Sequence, residues 1–234
     1  EARARVVWRM AAMPGEVVLS WSGGKDSAMA FMELAREARC RIATLLTTVT
    51  SGYERISMHG VRVSLLEEQA SSLDIPLIKV TIPEASSNEQ YESAMRSVLT
   101  RVQGDGVKIV AFGDLFLEDI RRYREERLSQ VGMKAVFPIW KRDTHELAES
   151  FLKAGFKAIL VCVDSKFLDG SFVGRAFDES LLADLPSGVD PCGENGEFHT
   201  FVHAGPIFNH PILVRSGEVV LRENRFWYCD LLER

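Results

Sequence analysis

No apolar run in the 234 residues approaches the ~20 that cross a membrane, so no part of the chain reads as a transmembrane helix. Residues 1–15 carry arginines without a continuous apolar stretch, and no secretory signal is expected there. The sequence does not begin with Met. Met10 and Met13 are candidate starts, and residues 1–13 stay outside the fold reading. Cysteine is scarce: Cys40, Cys162, Cys192 and Cys229 form no C-x-x-C pair, which suggests neither a zinc site nor a dithiol redox site. Cys40 and Cys162 lie among apolar neighbours, a reduced, cytoplasmic kind of usage. A basic excess is also lacking. Net charge is −5; residues 1–139 carry 18 Lys and Arg against 18 Asp and Glu, and residues 140–234 carry 10 against 15. Nucleic-acid binders usually show a basic face, so this balance argues against a large nucleic-acid partner. Two nucleotide signatures are missing as well. There is no G-x-G-x-x-G, and Leu19 and Asp26 stand where a Walker A loop needs Gly and Ser or Thr.

What is present is the run Ser22-Gly23-Gly24-Lys25-Asp26-Ser27. It follows the apolar Val17-Val18-Leu19-Ser20-Trp21 and precedes Ala28, Phe31, Met32 and Ala35, which recur at helical spacing. The reading is strand, glycine turn, helix. Adjacent glycines turn the backbone tightly. The helix N-terminus behind them offers unpaired N–H groups and partial positive charge, a place for phosphate. Lys25 adds a point charge, Asp26 is a candidate Mg2+ ligand, and Ser22 and Ser27 supply hydroxyls. An ordinary helix cap would use Ser and Asp too. The crowding of Lys, Asp and two Ser around the glycines favours a nucleotide. The run resembles the PP-loop, S-G-G-x-D-S, of the ATP pyrophosphatase superfamily. That resemblance implies ATP split into AMP and pyrophosphate, with adenylation of an acceptor oxygen before attack by ammonia or sulfur.

Apolar content of 46% supports a full core. Strand-like runs at 17–21, 42–49, 77–82, 108–112 and 135–139 alternate with helical patterns at 62–73, 89–102 and 118–130. Near-continuous apolar strands between helices predict a parallel α/β sheet covered on both faces. In such sheets ligands bind beyond the carboxyl ends of the strands. Both the 22–27 loop and Gly113-Asp114 fall at such ends. After Trp140 the pattern changes. A helix is expected over 144–154, a strand over 157–163 and a short helix over 178–183. Three short antiparallel strands follow at 211–214, 218–221 and 226–229, with turns at Ser216-Gly217 and Glu223-Asn224. The expected domains are 14–139 and 140–234. No internal repeat or low-complexity segment is visible.

Four further stretches narrow the family: Ser57-Met58-His59-Gly60, Gly113-Asp114, Arg121-Arg122-Tyr123-Arg124-Glu125, and Gly188 to Phe201. The last contains Gly193-Glu194-Asn195-Gly196-Glu197-Phe198-His199-Thr200-Phe201 and resembles the G-E-x-G-E-[FY]-x-T-F signature of the diphthine–ammonia ligase family. Phe137-Pro138-Ile139-Trp140 is similar to the P-L-W that closes that family's nucleotide domain. The likeness covers residues 14 to 234. It departs near Gly113: Asp114 replaces a small residue, Asp119-Ile120 stands for Tyr-Gln, and Tyr123 takes the place of the second Arg while Arg121 remains. In this the chain resembles the bacterial branch.

The resemblance implies a Rossmann-like domain of the adenine nucleotide alpha hydrolase-like kind, with a smaller C-terminal α/β domain. It implies an ATP- and Mg2+-using, amide-forming ligase. ATP would sit on Ser22, Gly23, Gly24, Lys25, Asp26 and Ser27, with His59, Gly113 and Asp114 nearby. The acceptor carboxylate would meet Arg121, Glu125, Gly193, Glu194, Glu197 and Thr200. Lys25, Asp26, Glu194 and Glu197 are the catalytic candidates; the two glutamates would hold an amine, ammonium or a second Mg2+. Each residue also has a plainer reading. His59 is equally a satisfied polar group at a strand end. Arg121 and Arg124 would pair with Glu118 or Glu125 on a solvated face. Glu194 and Glu197 would be a solvated turn. His199 and His203 are four apart in a strand-like run, where that spacing does not make a zinc pair. Two rival functions stay open: tRNA thiolation with the same ATP chemistry, and a non-catalytic nucleotide sensor. The expected acceptor is a small-molecule or protein-borne carboxylate, whose identity the sequence does not reveal. With no glutaminase signature, free ammonium or ammonia from a partner is the expected donor. An isologous homodimer is the default oligomer, although nothing in the sequence selects one.

Overall fold

The computed structural model describes residues 15–36, 40–52, 55–56, 60–84 and 86–234. The first sheet is built from β1 (Gly15–Ser20), β2 (Cys40–Thr50), β3 (Arg55–Ile56), β4 (Leu77–Ile82), β5 (Ile109–Ala111) and β6 (Lys134–Val136). β1 pairs in parallel with β2 and β5, β2 with β4, and β5 with β6. The five parallel strands therefore run third, second, first, fourth, fifth across the sheet. This is the doubly wound, Rossmann-like order, and its direction reverses between β1 and β5. The two-residue β3 pairs antiparallel with the end of β2 and has no counterpart in the sequence reading.

Alternation along β1 splits the core into two layers. Val17 and Leu19 pack on one side with α1 (Lys25–Arg36) and α2 (Val63–Leu73). Val18 points to the other, with Val110, Leu99 and Val102 of α3 (Asn88–Gly104), and Leu128 of α4 (Glu118–Ser129). Helices thus cover both faces, as the apolar runs require. α3 starts with a capping box: Ser87 Oγ accepts from Gln90 N–H at 3.3 Å, and Gln90 Oε1 accepts from Ser87 N–H at 2.9 Å.

α5 (Thr144–Lys153) leads into a second, antiparallel sheet of β7 (Lys157–Asp164), β8 (Phe198–Ala204), β9 (Val214–Arg222) and β10 (Phe226–Glu233), ordered β8-β7-β10-β9. The short α6 (Glu179–Asp184) is capped by Asp178, whose carboxylate accepts from Leu181 N–H at 2.8 Å. The layer holding Val17 and Leu19 continues without a break through Phe151, Leu160, Val163, Phe198 and Phe201. The second sheet therefore shares a core with the first.

Two expectations need correction. The strand expected at 135–139 stops at Val136, because Pro138 lacks the donor to continue a ladder and the chain turns. The C-terminal tail has two long strands, not three short ones. Ser216-Gly217 is no reversal; it sits inside β9 at a bulge against Asp230, where Gly217 leaves room beside the Asp230 carbonyl. The turn at Glu223-Asn224 is present, with φ of 54° and 50°.

Candidate functional site

β1 ends at Ser20, and Trp21 to Gly24 turn the chain into α1. Gly23 sits at φ +77°, and a Cβ there would lie 2.7 Å from Gln69 Oε1. A Cβ on Gly24 would lie 3.0 Å from the Thr200 carbonyl oxygen. Close approach fixes both glycines, and at Gly23 the backbone conformation does so as well. At the neighbouring strand end, a Cβ on Gly113 would fall 2.9 Å from the Asp26 backbone. The β1–α1 and β5–α4 loops consequently touch at the point where the strand order reverses. Ser22 Oγ accepts from Gly24 N–H at 3.3 Å, and Ser27 Oγ donates to the Gly24 carbonyl at 2.9 Å. The N–H groups of Asp26 and Ser27, in the first turn of α1, find no acceptor among the described residues. That leaves the anion-attracting end of the helix available.

The second sheet reaches directly onto this loop. Val202 N–H donates to the Gly23 carbonyl at 2.8 Å, and Lys25 N–H donates to Thr200 Oγ1 at 3.1 Å. Gln69, on α2 and fully buried, ties three segments together. Its amide donates to the carbonyls of Gly23 (3.1 Å) and Val202 (2.6 Å), and its Oε1 accepts from Trp21 Nε1 at 2.8 Å. Sequence reasoning missed Gln69. Its signal was a long polar side chain on a helix face built from Leu65, Leu66, Ala70, Ser72 and Leu73.

Lys25 is 3% exposed. Its ammonium donates to both Asp26 oxygens, at 2.9 and 2.8 Å, and to the Cys192 carbonyl, and it lies 5.6 Å from the Phe198 ring centre. Burial works against its charge, but the Asp26 carboxylate more than compensates and holds the ammonium above its ordinary range. As folded, then, Lys25 is occupied by protein oxygens rather than presented to a cavity. Burial pushes the Cys192 thiol up to about 12, so this cysteine is no nucleophile. Asp26 is the loop's own carboxylate, both of its oxygens accept from Lys25, and it is the residue that would hold Mg2+ in exchange for that pairing. The described residues contain no group of three or more His, Cys, Asp and Glu side chains suited to a metal. A single carboxylate fits Mg2+, which is commonly held by one or two carboxylates together with substrate phosphates.

The two acids of the 188–197 loop have different jobs. Glu194 accepts from the N–H groups of Leu115 (2.8 Å) and Phe116 (3.4 Å), so it docks the loop on the β5–α4 connection. Burial outweighs those bonds and pushes its carboxyl up to about 7. Glu197, 1% exposed, accepts from Asp190 N–H at 3.1 Å, Asn195 N–H at 2.9 Å and Asn195 Nδ2 at 3.0 Å. Its carboxylate closes its own loop. Gly193, at φ +66°, has no space for a side chain beside the Phe198 carbonyl. Burial drives His199 down to about 4 and keeps it neutral.

A cavity of about 280 Å³ opens beyond the carboxyl ends of β1 and β2, beneath α3 and α4. Ser20, Trp21 and Ser22 form one wall, with Thr47 and Thr48 of β2 beside them; Tyr91, Arg96, Arg124 and Arg127 come from the helices. Arg124 pairs with Asp114 at 2.7 Å and lies 4.2 Å from the Phe112 ring centre. Arg127 pairs with Glu92 at 2.6 Å. The sequence reading named none of Tyr91, Glu92, Arg96 and Arg127; nothing in their spacing separates them from a solvated helix face. Arg121 and Glu125 do not line this cavity. They pair with each other at 2.8 Å, and the Arg121 guanidinium lies 4.9 Å from the Trp140 ring centre. His59 lies outside the described residues.

Gln69→Leu is expected to lower unfolding stability by about 2–4 kcal/mol, because the buried Trp21 Nε1 and the Val202 carbonyl lose the Gln69 amide while the Gly23 carbonyl keeps only its bond from Val202 N–H. Denaturant midpoints of the two proteins check this. Glu194 supplies a pH test. Its folded pKa is raised from 4.5 to about 7, so folding favours the neutral carboxyl; stability is greatest below 4.5 and falls as pH rises through 7. Glu194→Gln mimics the neutral form. Its stability should match the wild type near pH 4.5 and exceed it at about pH 8 in paired denaturant titrations.

Residues 15–135 match the family described as the diphthamide synthase N-terminal domain, and residues 143–231 match the diphthamide synthase C-terminal domain. The chain is 24% identical over 229 residues to a diphthine–ammonia ligase of Bos taurus, covering 85% of this chain and 82% of that protein. The Homo sapiens diphthine–ammonia ligase is 24% identical over 230 residues, with 86% and 83% covered. A Schizosaccharomyces pombe relative of the same name is 25% identical over 220 residues, but only 36% of it is spanned. Among solved structures, a predicted subunit of tRNA methyltransferase from Methanocaldococcus jannaschii aligns with a TM-score of 0.40 at 17% identity, covering 64% of this chain and 80% of that one. The U34-tRNA thiolase NcsA of Methanococcus maripaludis gives 0.38 at 17%, covering 62% and 60%. These two structural likenesses are too loose to support an argument. The family match spans both sheets, and with the glycine loop closed by the second sheet, the chain belongs to the diphthamide synthase family.

Proposed function

We propose that this enzyme is an ATP-dependent amide-forming ligase in which residues 14–139 bind the nucleotide and residues 140–234 close over it and receive the acceptor. One observation carries the reading. The Ser22–Ser27 turn lies at the reversal of a doubly wound sheet, with first-turn N–H groups of α1 left without acceptors among the described residues and an open cavity alongside. Its curated relatives are named diphthine–ammonia ligases, which fits carbon–nitrogen bond formation.

In the proposed reaction an acceptor carboxylate oxygen attacks the α-phosphorus of ATP. The bond to the bridging oxygen of the β-phosphate breaks, and pyrophosphate leaves. Ammonia then attacks the acyl carbon, the carbon–oxygen bond to AMP breaks, and the nitrogen loses a proton. The loop amides and Lys25 stabilise the charge on departing pyrophosphate. To do so, Lys25 exchanges the Asp26 carboxylate or the Cys192 carbonyl for phosphate oxygen. Mg2+ on Asp26 would neutralise phosphate charge. Glu194, with its carboxyl near 7, is suited to accept a proton from ammonium. The remaining rate comes from positioning. Asp114, Asp119-Ile120 and Tyr123 favour the bacterial branch, with a small-molecule or protein-borne carboxylate as acceptor, in the cytoplasm.

The test is product analysis with α-labelled ATP, Mg2+, ammonium and a small-molecule cell extract. AMP and pyrophosphate should form only with extract present. Lys25→Ala should reduce their rate by about 100-fold or more. ADP as the product, or AMP release indifferent to Lys25→Ala, would overturn the assignment.

A further inference from the structure

Gly23 and Gly24 are the one adjacent glycine pair in the sequence. The peptide between them is planar and trans, so the Gly23 carbonyl and the Gly24 N–H point to opposite sides of one plane. Turning that plane over changes only ψ of Gly23 and φ of Gly24, and glycine tolerates either sign of φ. The two residues by themselves therefore leave the plane free to flip. What holds it is the setting of the carbonyl. Its two lone pairs are taken by Val202 N–H at 2.8 Å and Gln69 Nε2 at 3.1 Å, and both donor residues are fully buried. The Gln69 amide is itself oriented. Trp21 Nε1 can only donate, and it donates to Gln69 Oε1 at 2.8 Å; this turns the NH2 group toward the carbonyls of Gly23 and Val202. On the other side of the plane, Gly24 N–H meets the Ser22 hydroxyl at a long 3.3 Å, and that hydroxyl also reaches Ser27 in the first turn of α1.

We propose that Gln69 is a positioning residue for pyrophosphate: it keeps the Gly23–Gly24 peptide turned so that the Gly24 N–H faces the phosphate side of the loop. The inference rests on the ligase reading above, in which the loop amides meet departing pyrophosphate. Flipping the plane would do two things at once. It would take the acceptor away from the Gln69 amide and the Val202 N–H, both buried, and an unmatched buried donor opposes that. It would also turn a carbonyl oxygen, in place of an N–H, toward the anion. A donor already aimed where charge develops costs no reorganisation during the reaction, whereas a carbonyl there repels the charge. Val202 approaches from the second sheet, but the chain from Trp21 through Gln69 to Gly23 lies wholly within the first domain. The nucleotide domain thus carries its own means of setting the loop's donor.

Carbonyl-edited NMR with a pyrophosphate titration tests this on the full chain. With glycine isotope-labelled at its carbonyl carbon and amide nitrogen, only Gly24 follows a labelled glycine, so its amide gives a single signal. In the wild type that signal should be sharp and should move on pyrophosphate addition. Gln69→Leu should broaden or split it and weaken pyrophosphate binding by about tenfold or more. Ser72→Ala is the control for lost stability. Ser72 is buried one turn along α2, and its hydroxyl donates to the His210 carbonyl at 2.5 Å and accepts from His210 N–H at 3.1 Å. That variant should also unfold at lower denaturant, yet keep the Gly24 signal and bind pyrophosphate within about twofold of wild type. If Gln69→Leu does not fold, Gln69→Met, of similar length and without donors, takes its place; the wild-type titration needs no variant. A Gly24 signal indifferent to pyrophosphate or to Gln69→Leu, an unchanged affinity in that variant, or an equal loss in Ser72→Ala would each overturn the inference and leave the ligase reading standing. A wild type that binds neither pyrophosphate nor ATP would overturn both.

Discussion

Strand β8 closes onto the carbonyl of Gly23, and the shape of the candidate active site depends on that contact. Gly23 lies at φ +77°, a conformation in which its carbonyl is met from two sides: by the Val202 N–H at 2.8 Å and by the Gln69 amide at 3.1 Å. A hydrogen bond of this kind contributes only about 1 kcal/mol net, but a buried carbonyl left without one costs about 1–3 kcal/mol. The arrangement therefore favours being wholly made or wholly released. A strand–turn–helix alone would leave the loop free to move. Here a residue of α2 and a strand of the second sheet fix it, and the continuous core through Phe198 and Phe201 keeps that strand in place.

Electrostatics follow from the same closure. Covering the loop buries Lys25, and an isolated buried ammonium would lose its proton. Asp26, the Cys192 carbonyl and the Phe198 ring face keep it charged. The cost of burying charge is met differently for the two glutamates, although they are three residues apart. Three donors of its own loop satisfy Glu197. Glu194 has the two N–H groups of Leu115 and Phe116, too few to offset desolvation, and its carboxyl rises to about 7. One acid folds the loop and the other docks it on the first domain.

The sequence made the parallel sheet legible because Val17, Val18 and Leu19 are all apolar, and only burial on both faces explains such a run. The glycine turn was legible from six adjacent residues. Long-range contacts were not. Nothing local links Gln69 to Gly23 and Val202, or Glu194 to the amides of Leu115 and Phe116, because these pairings depend on how the two sheets meet. Gly217 was misread for a similar reason. A glycine in a strand pattern marks a turn or a bulge alike, and only the partner strand, through Asp230, decides between them.

The two edges of the second sheet meet different surroundings. An antiparallel sheet with two ends has two rows of unpaired backbone groups to satisfy. β8 directs its row at the glycine loop of its own chain, so Gly23, Lys25, Thr200 and Gln69 are tied into one hydrogen-bonded group. β9 holds the opposite row, with β7 and β10 between it and that site. The strand that shapes the loop is therefore held at both of its edges, by β7 on one side and by the loop itself on the other.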